Sequence, residues 1–220
     1  MDSTIRYCKD LGLWAQDRSR EHSCVHATKF CAATCFNRKL EGTFGHTVAP
    51  KDVRNDKFWS QIDGAQVSRF MATRKHKKRF RLMTRGEAFR DMTDIARVES
   101  ILRENREMLV WIPTRAWHTN FNRSGKWRGE SRLWAEIARL QTQYKNARIQ
   151  ISLDPSDSEA MVRWAEFSGF STMFYGDDNS PAINGSKRCQ KTWAGKKAAC
   201  RECKGKCFSP NVTHVWLKRH

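Results

Sequence analysis

Between about residue 80 and residue 177 the chain alternates between two hydrophobic periods, and this alternation restricts the fold most. "RFRLMTRG" (Arg79 to Gly86) is short, ends at a glycine and reads as a strand. "EAFRDMTDIARVESILREN" follows, with Phe89, Met92, Ile95, Ala96, Val98, Ile101 and Leu102 on one helical stripe. "MLVWIPTR" (Met108 to Arg115) is a continuous apolar run, the pattern of a strand buried on both faces. "RGESRLWAEIARLQTQYKN" is again helical, through Leu133, Trp134, Ile137, Leu140 and Tyr144. "ARIQISLDPSD" (Ala147 to Asp157) alternates as a strand and stops at Asp154-Pro155. "SDSEAMVRWAEFSG" opens on capping residues, with Ser156 and Glu159 spaced as a capping box, and closes on Gly169. "FSTMFYGD" (Phe170 to Asp177) is a fourth strand.

The order β-α-β-α-β-α-β argues for a parallel sheet with helices outside it, because each crossover needs a helix to return the chain. The expected class is α/β: a partial, barrel-like parallel (β/α) sheet with a Cys-rich loop before it and a Cys-rich metal-binding segment after it. Residues 1–185 would form the Cys-rich N-terminal segment and α/β core, and residues 186–220 a metal-binding tail packed on that core. Upstream, "EGTFGHTVAPKD" reads as loop, and "KDVRNDKFWSQIDGAQVSRFMATRK" as amphipathic helix interrupted near Gly64. "THVWLKRH" near the end reads as a strand.

Ligands of parallel sheets gather at the carboxyl ends of the strands. Those ends hold Arg85, Gly86 and Glu87; then Thr114, Arg115, Trp117 and His118; then Ser152 and Asp154; then Tyr175, Gly176 and Asp177. A hydrolase built on Glu87, His118 and Asp154 has little behind it, since no HExxH or paired-carboxylate spacing is present.

The cysteines carry the chemical signal. Eight cysteines in a chain without a basic-then-apolar leader point to the reducing cytoplasm and to metal binding rather than disulfides. No apolar run approaches a membrane span, so no membrane partner is expected. Cys24, Cys31 and Cys35 form a three-thiol group; Cys189, Cys200, Cys203 and Cys207 form a four-thiol group around "CRECKGKC". Four thiolates suit a closed zinc site or the corners of an iron–sulfur cluster. Three thiolates with an open position suit a reactive site, of zinc or of a [4Fe–4S] cluster, unless His22, His26, Cys8 or a tail cysteine closes it.

The formal net charge of +18, from 41 Lys+Arg against 23 Asp+Glu, points to a polyanionic partner, most simply nucleic acid. The densest run is "TRKHKKRFRLMTR" (Thr73 to Arg85). Trp117, Phe121, Trp127 and Trp193 are candidate base-stacking residues, with core packing the competing reading. Zinc-finger, leucine-zipper and helix-turn-helix patterns are absent, so sequence-specific readout has no support.

"SCVHATKFCAATCF", then "RGE", "VWIPTR", "ISLDPS" and a terminal Cys-rich segment together resemble the small phage-encoded gene-product-88-like proteins. More remotely, the arrangement looks like the radical S-adenosylmethionine superfamily. That resemblance implies a partial (β/α) barrel, a [4Fe–4S] cluster on Cys24, Cys31 and Cys35, and S-adenosylmethionine at the open iron. Gly86 and Glu87 would meet its amine, and the tail cysteines would hold an auxiliary cluster or zinc. The chain departs from that superfamily in its wider cysteine spacing and in having Arg85 where a second glycine is usual.

Overall fold

The computed structural model describes residues 4–9, 11–75, 78–177, 183, 185–189, 192 and 213–218. A short antiparallel pair, β1 (Arg6–Cys8) and β2 (Leu13–Gln16), opens the chain. Four helices follow: α1 (Arg20–Ser23), α2 (Lys29–Thr34), α3 (Phe36–Gln61) and α4 (Gly64–Ala72). Then come β3 (Arg79–Leu82), α5 (Met92–Glu104), β4 (Leu109–Thr114) and a 3₁₀ turn (Ala116–Asn120). The core ends with α6 (Arg132–Gln143), β5 (Ala147–Leu153), α7 (Glu159–Phe167) and β6 (Ser171–Gly176). Two further strands, β7 (Lys187–Arg188) and β8 (His214–Lys218), complete one eight-stranded sheet.

The strand order is β1-β2-β3-β4-β5-β6-β8-β7, and every pairing after β1–β2 is parallel. From β2 to β6 the order follows the sequence without reversal. A doubly wound sheet reverses at its midpoint and so covers both faces; crossovers of one hand without reversal put their helices on one face. The packing agrees. Register aligns Phe80 with Val110, Ile112 with Ile149, and Leu153 with Phe174. These side chains share one large core with Trp59 of α3, Val67 of α4, Ile101 of α5, Ile137 of α6 and Ala165 of α7.

The opposite face carries a much smaller apolar cluster of Leu13, Ala15 and Trp111, with Leu109 and Met173 against it. Polar groups are built into this face. Trp111 Nε1 donates to Gln150 Oε1 (2.9 Å), and Gln150 Nε2 donates to the Thr172 carbonyl (3.2 Å). The Arg81 guanidinium lies 4.1 Å from the Trp111 ring centroid. Among the described residues no helix is long and apolar enough to cross a membrane.

Two expectations are corrected, and one strand pair lies beyond them. "EGTFGHTVAPKD" is not a loop: it lies inside α3, which bends at Phe44 (φ −126°, ψ 33°) and accommodates Pro50 in the segment after the bend. Tertiary contacts override the local glycines and proline. Glu41 is hydrogen-bonded by Arg20 and Arg85, Asp52 pairs with Arg85, and Phe58 and Trp59 are buried. Ser156 does not cap α7; Ser158 does, through the Met161 amide, because Ser156 is taken up by Asp154. The N-terminal strands β1 and β2 are not expected from the weakly periodic first residues, and their pairing adds an antiparallel edge to the sheet.

Candidate functional site

The carboxyl ends of β3, β4 and β5 open onto a pocket of about 190 Å³. Its floor is the polar face of the sheet, represented by Arg81, Pro113, Ser152 and Met173. Its walls include all three N-terminal cysteines, Cys24, Cys31 and Cys35, together with His26, Gly86, Glu87 and Arg115.

Each thiol is placed by a helix terminus. Cys24 ends α1, with its amide donating to the Arg20 carbonyl at 3.0 Å. Cys31 sits in the first turn of α2, and its amide donates to Oγ1 of the capping Thr28 at 2.9 Å. Thr28 Oγ1 in turn donates to Asp154 Oδ2 at 2.6 Å, so a strand-end carboxylate fixes the turn that presents Cys31. Cys35 has extended backbone (φ −63°, ψ 117°) and separates α2 from α3; this break lets the third thiol reach the same pocket.

Burial pushes the Cys24 thiol up to about 12, with Glu87 and the neighbouring thiols adding to it. Burial also raises Cys31, against the opposing charge and hydrogen bond of Arg115. Both are therefore protonated at neutral pH, and a metal binding here would have to displace those protons. Among the described residues, no group of three or more His, Cys, Asp or Glu is gathered closely enough to chelate one metal ion.

The loop after β3 is rigidly built. Met83 is buried with a left-handed φ of 64°, a conformation that side-chain-bearing residues seldom adopt outside constrained sites. Asp17 Oδ1 accepts from the Thr84 amide (2.8 Å), the Thr84 hydroxyl (2.6 Å) and the Arg85 amide (3.0 Å). Gly86 follows with φ +89°, and a Cβ there would lie 2.6 Å from Ser23 Oγ and 3.0 Å from Arg18 Cβ. Gly86→Ala is expected to cost about 2–4 kcal/mol, the sum of left-handed backbone and overpacking. Urea unfolding measures it, and a loss near zero would show that the loop after β3 relaxes freely.

Glu87 is buried and heavily bonded. Its Oε1 accepts from the Ala88 and Phe89 amides (2.9 and 3.1 Å) and the Thr114 hydroxyl (2.8 Å); its Oε2 accepts from the Arg115 amide (2.8 Å). Arg115 pairs with Asp154 at 2.6 Å and approaches Asp157 at 3.8 Å, while among the described residues its Nη1 has no hydrogen-bond partner. Beyond this frame lies a cleft of about 840 Å³ that shares His26 and Ala27 with the thiol pocket. On the cleft wall His118 Nε2 lies 3.0 Å from Asp157 Oδ1, off the line of a good hydrogen bond.

Of the groups considered for closing the three-thiol site, His26 is the one among the described residues that lines the pocket, with Nε2 3.1 Å from the Phe89 carbonyl. His22 is at Asp56, and Cys8 packs on the far strand pair at the other end of β2. Cys189 follows β7, its amide donating to the Trp216 carbonyl. Cys200, Cys203, Cys207 and Trp193 lie outside the described residues. Trp117 and Phe121 are core residues at 0% and 7% exposure, whereas Trp127 is 46% exposed. The sequence reading missed Asp17, Thr28 and Asp94, which hold the site together through contacts distant in the chain.

No curated protein and no solved structure matches the chain. A family model described as Gene product 88 matches residues 4–209, spanning the sheet from β1 through β7 and all three pocket cysteines, and the chain belongs to the Gene product 88 family.

Proposed function

We propose that this is a phage-type iron–sulfur protein of radical-SAM-like architecture that binds or acts on nucleic acid in the host cytoplasm. One observation carries the reading: Cys24, Cys31 and Cys35 line a single pocket at the carboxyl edge of a sequentially ordered parallel sheet, beside Gly86 and Glu87. The one-sided helical layer and polar second face support an open, barrel-like curvature.

Our preference for a cluster over one zinc ion at these three residues rests on the coordination position that three thiolates leave open. Zinc–thiolate bonds of about 2.3 Å would draw the sulfurs together around one point, whereas a [4Fe–4S] cluster takes each thiolate on a separate iron. The three side chains share one pocket. When bound, the cluster would supply one-electron chemistry. Arg115 would stand against Cys31 as a fixed positive charge, and Thr28 and Asp154 would hold the Cys31 turn. S-adenosylmethionine is the ligand that the remote resemblance implies. Glu87 Oε2, which accepts a hydrogen bond from one amide against three donors at Oε1, is the atom for its amine.

Protein purified without oxygen from iron-sufficient cells is expected to be brown and to carry roughly four irons and four sulfides for each [4Fe–4S] cluster. Cys31→Ser should remove the N-terminal cluster while leaving any metal of the tail cysteines. The second reading, a zinc-stapled basic nucleic-acid-binding protein without chemistry, rests on the +18 charge and the Lys-flanked tail thiols. Colourless protein containing only zinc would decide for it.

A further inference from the structure

The segment from Phe121 to Trp127 forms a stiff, basic hairpin with one aromatic ring left open. Asn122 Oδ1 accepts from the Ser124 amide (3.0 Å), the Ser124 hydroxyl (2.8 Å) and the Lys126 amide (2.9 Å). The Asn122 amide donates to the Lys126 carbonyl at 2.9 Å, and Phe121 pairs with Trp127 in an antiparallel bridge. Gly125, with φ +76°, lets the tip press against the start of α7, where a Cβ would come within 2.9 Å of Ser158 Oγ. The hairpin is thus fixed before any ligand arrives, which lowers the ordering cost of binding.

Arg123, Lys126 and Arg128 are exposed, and among the described residues none pairs with a carboxylate. The acid nearest in sequence is the exposed Glu130. Trp127 is braced on one side, 5.3 Å from Phe121 and 5.7 Å from Trp164 between ring centroids, yet 46% of it stays in solvent. Its neighbours Trp117 and Trp134 in the same aromatic group are buried, so packing alone does not account for an indole left open among three cations. Arg123 lines the 840 Å³ cleft, with Lys29 also on its wall, and that cleft reaches the thiol pocket through His26 and Ala27.

We infer that the hairpin and cleft bind single-stranded nucleic acid, a base stacking on Trp127 and phosphates meeting Arg123, Lys126 and Arg128. A stacked base must leave its own helix, which selects a single strand over a duplex. This inference rests on the nucleic-acid reading above and gives it a location beside the thiol pocket.

The test is fluorescence anisotropy of a labelled mixed-sequence oligonucleotide, single-stranded and as its duplex, with full-length protein over a range of salt. The single strand should bind several-fold more tightly than the duplex. Trp127→Ala should weaken it about tenfold without changing the salt dependence, since stacking is not ionic. Arg123→Gln with Lys126→Gln should reduce the slope of log affinity against log salt by about 1.4, since each phosphate that is no longer neutralised removes about 0.7. Circular dichroism confirms that each variant is folded; all three positions are exposed or half-exposed. If wild-type protein binds the strand and the variants bind it equally well, this location is wrong and the broader reading stands. Equal binding of duplex and single strand, unaffected by Trp127→Ala, also overturns it. If wild-type protein binds neither strand nor duplex at low salt, both readings fall.

Discussion

Asp94→Ala is expected to lower the free energy of unfolding by about 3–5 kcal/mol, the cost of stranding a buried charge. Asp94 is fully buried in the first turn of α5. Its Oδ2 accepts from Arg18 Nη1 (2.8 Å) and the Arg90 amide (3.0 Å); its Oδ1 accepts from Trp59 Nε1 (2.7 Å) and Arg97 Nη1 (2.9 Å). Arg18 is the decisive partner. It follows β2, its side chain is only 5% exposed, and its guanidinium also sits 5.4 Å from the Trp59 ring. Alanine leaves that charge without its carboxylate and orphans the indole N–H. The melting temperature should fall by roughly 6–20 °C for a chain of this size. Replacing both partners, Arg18→Met with Asp94→Leu, should recover much of the loss, because an apolar pair is often as stable as a buried ion pair. A drop below about 1 kcal/mol in urea unfolding of Asp94→Ala would mean that water reaches Arg18 and that the pair does not bind the end of β2 to α3 and α5.

The part of the fold legible in sequence is the part held by local pattern. The apolar runs of β4 and β5 and the stripes of α5, α6 and α7 place themselves, and Asp91, Ser131 and Ser158 begin the three helices as caps. What sequence did not reveal depends on distant partners. The strands β1 and β2 span only three and four residues, too few to show a period. Helix α3 runs through two glycines and a proline because Glu41 and Asp52 answer Arg20 and Arg85 from other segments.

The site divides the same way. The rule that parallel strands collect ligands at their carboxyl ends brings Gly86, Glu87 and Arg115 to one pocket, with Asp154 held against Arg115. The three cysteines reach it only through the break at Cys35, which no spacing rule announces. Asp17 and Thr28 act through partners 67 and 126 positions away, invisible to any short motif.

Asp154→Asn probes that assembly most directly, since it keeps the side chain's size and removes its charge. Asp154 is fully buried, and its carboxylate receives Arg115 Nη2 (2.6 Å), Thr28 Oγ1 (2.6 Å) and the Ser156 amide (2.9 Å). Removing the charge strands Arg115, itself only 8% exposed, at an expected cost of about 3 kcal/mol. The dependence on pH separates lost charge from lost shape. Burial opposes ionisation of Asp154, but Arg115 and the hydrogen bonds from Ser156 and Thr28 outweigh it and hold the carboxyl below the usual range. A group whose pKa is depressed by folding stabilises the native state above its unfolded pKa, about 4, and loses that contribution as pH falls through its folded value. Wild-type protein should therefore exceed Asp154→Asn in stability by a constant margin at neutral pH, and the margin should close on acidification below about pH 4. The thiol follows the carboxylate: with Thr28 less firmly held, Cys31 should react faster with a thiol reagent in the variant, while Cys189 at the sheet edge should not. A stability gap unchanged down to about pH 3, with unchanged Cys31 reactivity, would show that Asp154 holds Arg115 and Thr28 by shape alone.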